Sequence, residues 1–325
     1  LIVPSHSIPF ATPGVGWRAF RWMFDPTSPF YIRPRVDLQL WSWLWKFKAA
    51  CTVEHRYNGS RVLRDLSNRS MEFYTAFQDM DGFDFSFENN GMMILYSSDS
   101  GRRHGLEEAK LLRGLGLSVK DLDKSEVLEQ LGQETTAIAG TYFPGDAHLL
   151  PADFVKGLAR KAKDKGVEIK THTEVDGFSV RGKKIVGVLT NNGVMEADEI
   201  VLAAGSWSTG VAEKLDLHLP IQPAKGYSVS YERPNTAPSL PLILAEPKTS
   251  VTPMGNILRI GGTLELVGMD LSHNKRRIAA IVRAAKQFLP AINFDGLKVN
   301  KVWAGLRPVT PDGLPLLGRC ESFEN

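Results

Sequence analysis

The sequence predicts a mixed α+β and α/β chain, in which an α/β layer carrying an antiparallel β insertion is interleaved with a second, strand-rich region. Three observations predict it. Between 151 and 205, an amphipathic helical stretch leads into a strand-like run, a series of short strands, and an apolar run ending on glycine. Between 225 and 262, strand-like runs follow one another without a helix; a helix over 276–288 and a strand over 298–306 then close the region. The length, 325 residues, accommodates two domains or one large one.

The elements follow in order. Residues 1–60 hold five of the seven tryptophans, Trp17, Trp22, Trp41, Trp43 and Trp45. The stretch LQLWSWLWKF is amphipathic under either a helical or a strand period, so two readings stand. One is the packing of a large apolar element; the other is an interfacial patch touching a membrane or partner. Arg64–Met80 is predicted helical from the spacing of Leu66, Met71, Phe73, Tyr74 and Phe77, and His104–Leu115 is the next helix, with a strand in GMMILYSS between them. Asp123, three residues before Glu126, starts a helix that runs through Leu131 and stops at Gly132.

Pro151 opens a helix with Phe154, Val155, Leu158, Ala159 and Ala162 as its apolar stripe and Gly166 as terminator. VEIKTHTEV is read as a strand. A meander with turns at Arg181-Gly182 and Asn192-Gly193 follows, and Ile200–Ala204 is read as a buried strand meeting Gly205. GYSVSYE, LPLILAE and NILRIGG are strands, Arg276–Phe288 is a helix ended by Pro290, and KVNKVWAGL is the last strand.

Composition excludes several classes. The formal net charge of +3 is spread along the chain without a basic arm, which argues against a nucleic-acid partner. Cys51 and Cys320 stand alone, with no second Cys or His at metal-ligand spacing, and read as free thiols. No apolar run reaches the ~18 residues of a membrane span. The opening LIVPSHSIPF lacks a basic leader and an initiator Met, and the chain is expected to be truncated at both ends.

No nucleophile motif, metal cluster, P-loop or GxGxxG is present, a pattern that fits chemistry borrowed from a cofactor. Ala203, Ala204 and Gly205 put small residues at the end of an apolar run, where ligands approach the backbone of α/β sheets. Gly261 and Gly262 within a strand mark a bulge or a close approach. Arg307 stands between an apolar run and a loop of prolines and glycines. It is either a surface residue with a buried stem or a residue placed to meet an anion.

The order AAGSWS, PAKGYS, IGGTLE and GLRPVTPDGLPLLG resembles the D-amino acid oxidase superfamily of FAD-dependent oxidoreductases over essentially the whole chain. VPSHSIPFATPGV and WMFDPTSPFYIRP look most like its bacterial D-amino acid dehydrogenase branch. The resemblance implies a Rossmann-like FAD-binding layer over 1–16, 144–222 and 303–325, here lacking its N-terminal GxGxxG unit. It implies an antiparallel-sheet substrate domain over 17–143 and 223–302.

The activity implied is oxidative deamination of D-amino acids. A hydride passes from Cα to flavin N5, the imine is hydrolysed to a 2-oxo acid and ammonia, and electrons go on to a quinone-type acceptor or dye. Arg307 would pair with the substrate carboxylate. His6 would handle protons or tune the flavin, and Tyr227 would offer its hydroxyl to substrate. Val175, Ala204, Gly205, Trp207 and Gly318 would line the cofactor, with Gly261 and Thr263 on the substrate-side sheet. Alternatives within the family are glycine or sarcosine oxidase and D-hydroxyproline dehydrogenase; the rival from another class is a non-catalytic fragment. The expected location is cytoplasmic, with peripheral contact at the inner face of the bacterial inner membrane.

Overall fold

The computed structural model describes residues 1–14 and 30–325. Trp17 and Trp22 lie outside the described residues. A nine-stranded mixed sheet organises the rest. Its path runs β12 (Val299–Val309), β8 (Gln222–Glu232), β11 (Ile257–Leu266), β10 (Thr249–Met254), β9 (Leu242–Leu244), β2 (Met92–Tyr96), β4 (Ala139–Phe143) and β3 (Lys120–Leu122), with β1 (Phe30–Ile32) pairing β11. The pairs β1–β11 and β2–β9 are parallel and the others antiparallel.

The β8 strand is buried from Gln222 through Tyr231, so it lacks the alternation of a half-exposed strand. One cause is the helix Lys275–Phe288. Its N–H groups at Arg276 and Arg277 are capped by Asn274, and Ile281, Ala285 and Phe288 join Val229, Leu258 and Ile260 in the core. Thr249–Met254 was not anticipated as a strand: Pro253 within it argues against one, and it is nonetheless paired on both sides.

The tryptophan-rich stretch is a helix, Leu38–Ala50, whose start is set by the Asp37 side chain accepting the Leu40 N–H at 3.0 Å. Trp43 is buried and stacks on Phe47, while Trp41 and Trp45 are exposed. The capping box of Asp123 and Glu126 and the left-handed Gly132 bound the helix Lys124–Leu131 as expected. Helices also span Val53–Gln78, Asp99–Gly114 and Pro151–Asp164.

A second, three-stranded antiparallel sheet holds β5 (Val175–Arg181), β6 (Lys184–Thr190) and β7 (Gly193–Met195). Two expected strands are corrected. VEIKTHTEV joins a sheet only at Val175, and Ile200–Ala204 belongs to neither sheet, with Val201 86% exposed. An apolar run becomes a buried strand only when neighbours take up its backbone groups. Within residues 200–204, Ile200 donates its N–H to the Asn325 carbonyl at 2.9 Å and the Ala204 carbonyl accepts the Trp207 N–H at 3.0 Å, and neither bond is part of a ladder.

Candidate functional site

The far end of β12 carries Arg307, opposite Ala224 of β8. Next to it, β11 has a bulge between Gly262 and Glu265. Thr263 sits there at φ +68°, a left-handed conformation that a β-branched residue rarely adopts. Beyond the bulge, β11 leaves β10 and pairs β1 at Leu264–Leu266. The bulge turns the Thr263 carbonyl out of the ladder, where it accepts the Arg307 Nη1–H at 3.1 Å.

Gly226 lies beneath the same guanidinium. A Cβ built there would stand 2.6 Å from Arg307 Nη2, so only glycine leaves room for this side chain pose. Solvent touches Arg307, yet protein surrounds the guanidinium closely enough that burial pulls its pKa below the usual arginine range. It remains a cation at neutral pH. Trp43 donates its indole N–H to the Val309 carbonyl at 3.1 Å and ties the tryptophan helix to the same strand end.

A cavity of about 1240 Å³ opens beside this strand end. Pro308 and Val309, the residues just after Arg307, line it, as do His6, Gly205 and Gly318. Three of the sequence-predicted residues are thus brought together. Ala204 is half-buried next to Gly205, Val175 opens β5, and Trp207 is exposed; none of these lines the cavity. Gly261 pairs Ser228 and Ser250 within the large sheet.

Tyr227 does not reach the cavity. It is buried at 2% exposure, and its hydroxyl donates to Glu265 at 3.1 Å. Burial and the neighbouring Glu265 carboxylate raise its pKa well above the ordinary phenol value. Glu265 is also ion-paired to Arg277 at 3.2 Å and lies 3.9 Å from Lys225. Lys225 in turn pairs Asp270 at 3.3 Å. This buried cluster anchors the strand just after the bulge, and Tyr227 belongs to it.

His6 stands at the end of a 3₁₀ turn, Pro4–His6. Its Nδ1 lies 3.2 Å from Ser5 Oγ, which donates to Asp146 Oδ2, and the Ser5 N–H donates to Asp146 Oδ1 at 3.1 Å. Solvent reaches His6 through the cavity, yet the protein packed around it, with Lys248 nearby, pulls the imidazole down to about 4, so it is neutral at neutral pH. Burial pushes the Asp146 carboxyl up to about 7. Ser5, Asp146, Gly226 and Glu265 escaped sequence reasoning. Asp146 lies 141 residues from Ser5, and no local pattern pairs them.

The cavity lining suits the flat ring systems of FAD. It is mostly apolar, with Phe10, Phe30 and Leu264 among its walls, and the positive-φ glycines Gly205 and Gly318 carry no side chain into it. No glycine-rich phosphate loop lines it among the described residues.

The family model described as DAO, FAD dependent oxidoreductase, matches residues 23–325. D-amino acid dehydrogenases of Granulibacter bethesdensis and Neisseria meningitidis serogroup C are each 30% identical to the chain, over 98% of it and 77% of their own length. Among solved structures, glycine oxidase from Bacillus cereus superposes with a TM-score of 0.73 at 24% identity, covering 81% of this chain and 73% of that one. L-proline dehydrogenase from P. horikoshii does so with a TM-score of 0.71 at 24% identity, covering 82% and 71%.

Proposed function

This chain belongs to the DAO family of FAD-dependent oxidoreductases, and from that premise we propose that it oxidises D-amino acids, holding the substrate carboxylate with Arg307. The observation that carries the proposal is the guanidinium seated at the strand end that borders the cavity. Arg307 uses Nη1 on the Thr263 carbonyl, is seated over Gly226, and leaves the rest of its fork for an anion. A two-pronged guanidinium–carboxylate pair fixes both the position and the tilt of the ligand. Fixing the carboxylate fixes the adjoining Cα, and such positioning supplies much of a rate acceleration.

Gly205, Gly318 and the apolar walls of the cavity would hold FAD, which when bound supplies the hydride acceptor. The walls keep water from the reacting carbon. His6, neutral and facing the same cavity, is the group placed to take a proton from the substrate amine. The cofactor half of the chain would comprise 1–16, 144–222 and 303–325, and the substrate half 17–143 and 223–302. We assign electron delivery to a quinone-type acceptor. A peripheral membrane contact is supported by Trp41 and Trp45, exposed beside Lys46 and Lys48 on one short helix. No helix among the described residues is long and apolar enough to cross a membrane.

Arg307→Ala tests the reading. Charge-assisted hydrogen bonds contribute ~1.5–3 kcal/mol, so KM for a D-amino acid is expected to rise by roughly 10- to 150-fold in the FAD-loaded enzyme. An unchanged KM sinks the carboxylate role. A panel of D-amino acids, glycine, sarcosine and D-hydroxyproline, with dye and oxygen as competing acceptors, identifies substrate and acceptor.

A further inference from the structure

We propose that His6, Ser5 and Asp146 form a proton relay, in which a proton taken from the cavity at His6 Nε2 comes to rest on the buried Asp146 carboxylate. The proposal rests on the amine-oxidising function above, because a substrate ammonium must lose a proton before its Cα–H can leave as hydride. It adds a destination for that proton.

The geometry is an unbroken chain of hydrogen bonds. Asp146 is 1% exposed and Ser5 7%, so water does not compete for either group. Both carboxylate oxygens of Asp146 are used by Ser5, one by its N–H and one by its hydroxyl. The single hydroxyl proton of Ser5 is thereby committed to Asp146 while the carboxylate is ionised, since an ionised carboxylate only accepts. Ser5 Oγ then has only a lone pair to offer His6 Nδ1, 3.2 Å away. Nδ1 must carry the ring proton, and Nε2, which meets no protein partner among the described residues, is left bare.

The step balances within these three residues. The N–H bond of the ammonium breaks as Nε2–H forms; Nδ1–H breaks as a new Oγ–H forms; the old Oγ–H breaks as Oδ2–H forms on Asp146. No heavy atom moves and no oxidant or reductant is consumed. The imidazole ends neutral, in its other tautomer, and the negative charge of Asp146 is cancelled. A ring held at about 4 resists standing as imidazolium, while a carboxyl held up at about 7 readily keeps the proton. The order Asp–Ser–His, with serine in the middle, differs from a nucleophilic triad, where histidine lies between the other two.

Other charged groups face the cluster. Lys248 acts to keep His6 unprotonated. The Glu88–His148 pair flanks the loop that carries Asp146.

The test is nitrogen NMR of the ¹⁵N-histidine-labelled holoenzyme between pH 5.5 and 8.5, with the His6 signals identified by their loss in His6→Gln. His6 is expected to stay neutral and to exchange its Nε2–H tautomer for the Nδ1–H tautomer as pH rises through about 7. Ser5→Ala is expected to abolish the exchange and Ser5→Thr to retain it. A single tautomer across the range, an imidazolium at its low end, or an unaltered exchange in Ser5→Ala would overturn the relay. The wild-type titration alone decides if a variant does not fold. Because the readout involves no turnover, an intact relay in a protein inactive on D-amino acids would refute only the function.

Discussion

Gly226→Ala separates the pose of Arg307 from its charge. The new Cβ would lie 2.6 Å from Nη2 and 3.0 Å from Cζ of Arg307, and 3.3 Å from the Thr263 carbonyl oxygen. The backbone contact is tight but tolerable. The guanidinium contacts are not, and the guanidinium is the free end of a flexible side chain, so it is the part that moves. Its move breaks the 3.1 Å bond to Thr263 and takes the fork out of the pose it holds over Gly226. The loss to substrate binding is that of a charge-assisted pair, ~1.5–3 kcal/mol, or roughly 10- to 150-fold in kcat/KM. The loss to folding is expected to be smaller, about 1 kcal/mol, at the low end of overpacking costs because the neighbour gives way. Steady-state kinetics on a D-amino acid and a urea titration of the same FAD-loaded preparation measure the two. A kcat/KM within twofold of the parent would refute the claim that Gly226 seats the guanidinium. A large fall in stability would show that the strand gives way instead of the side chain.

Further outcomes follow from the buried groups. Glu265→Gln leaves Arg277 and Lys225, each 2% exposed, facing a neutral amide, and is expected to cost ~3–5 kcal/mol in chemical denaturation. Gly105→Ala would place a Cβ 2.0 Å from the Tyr96 hydroxyl, which is itself bonded to Thr141 at 3.0 Å. There neither side can yield freely, and ~2–3 kcal/mol of destabilisation is expected. His148 is fully buried, its ring nitrogens have no hydrogen-bond partner among the described residues, with the Glu88 carboxylate 3.7 Å from Nε2, and burial pulls it down to about 4. The unfolded chain therefore takes up this proton first as pH falls. Stability due to neutral His148 is complete above about 6.5 and is lost progressively down to about 4, a loss on the order of 3 kcal/mol. Thermal unfolding of His148→Gln should lack that share of the acid sensitivity; an identical pH profile would count against it.

Local rules made most helices readable. The capping pair at Asp123 and Glu126, the proline at 151 and the glycines at 132 and 166 act within one turn of the backbone, so their meaning travels with the sequence. The long strands β8, β11 and β12 were also legible, because β-branched and aromatic runs flanked by turn residues suit a pleated, buried surface. Arg307 stood out for the same reason: a cation at the end of such a run needs a purpose.

Other features depended on what lies opposite. Ile200–Ala204 has the composition of a buried strand, and its exposure follows from the absence of a paired neighbour among the described residues. Tyr227 carries a hydroxyl suited to a ligand, but register sets it across from Gly262 and points it at Glu265, so it serves the buried ion cluster. The close approach of Gly226 to Arg307 joins residues 81 positions apart by number, and the contact of Asp146 with Ser5 spans 141. Periodicity and capping are properties of neighbours along the chain and were determined by the sequence alone. Which hydroxyl meets which carboxylate, and which carbonyl a bulge turns toward a guanidinium, depend on distant segments meeting at ångström precision, and only the tertiary structure decided them.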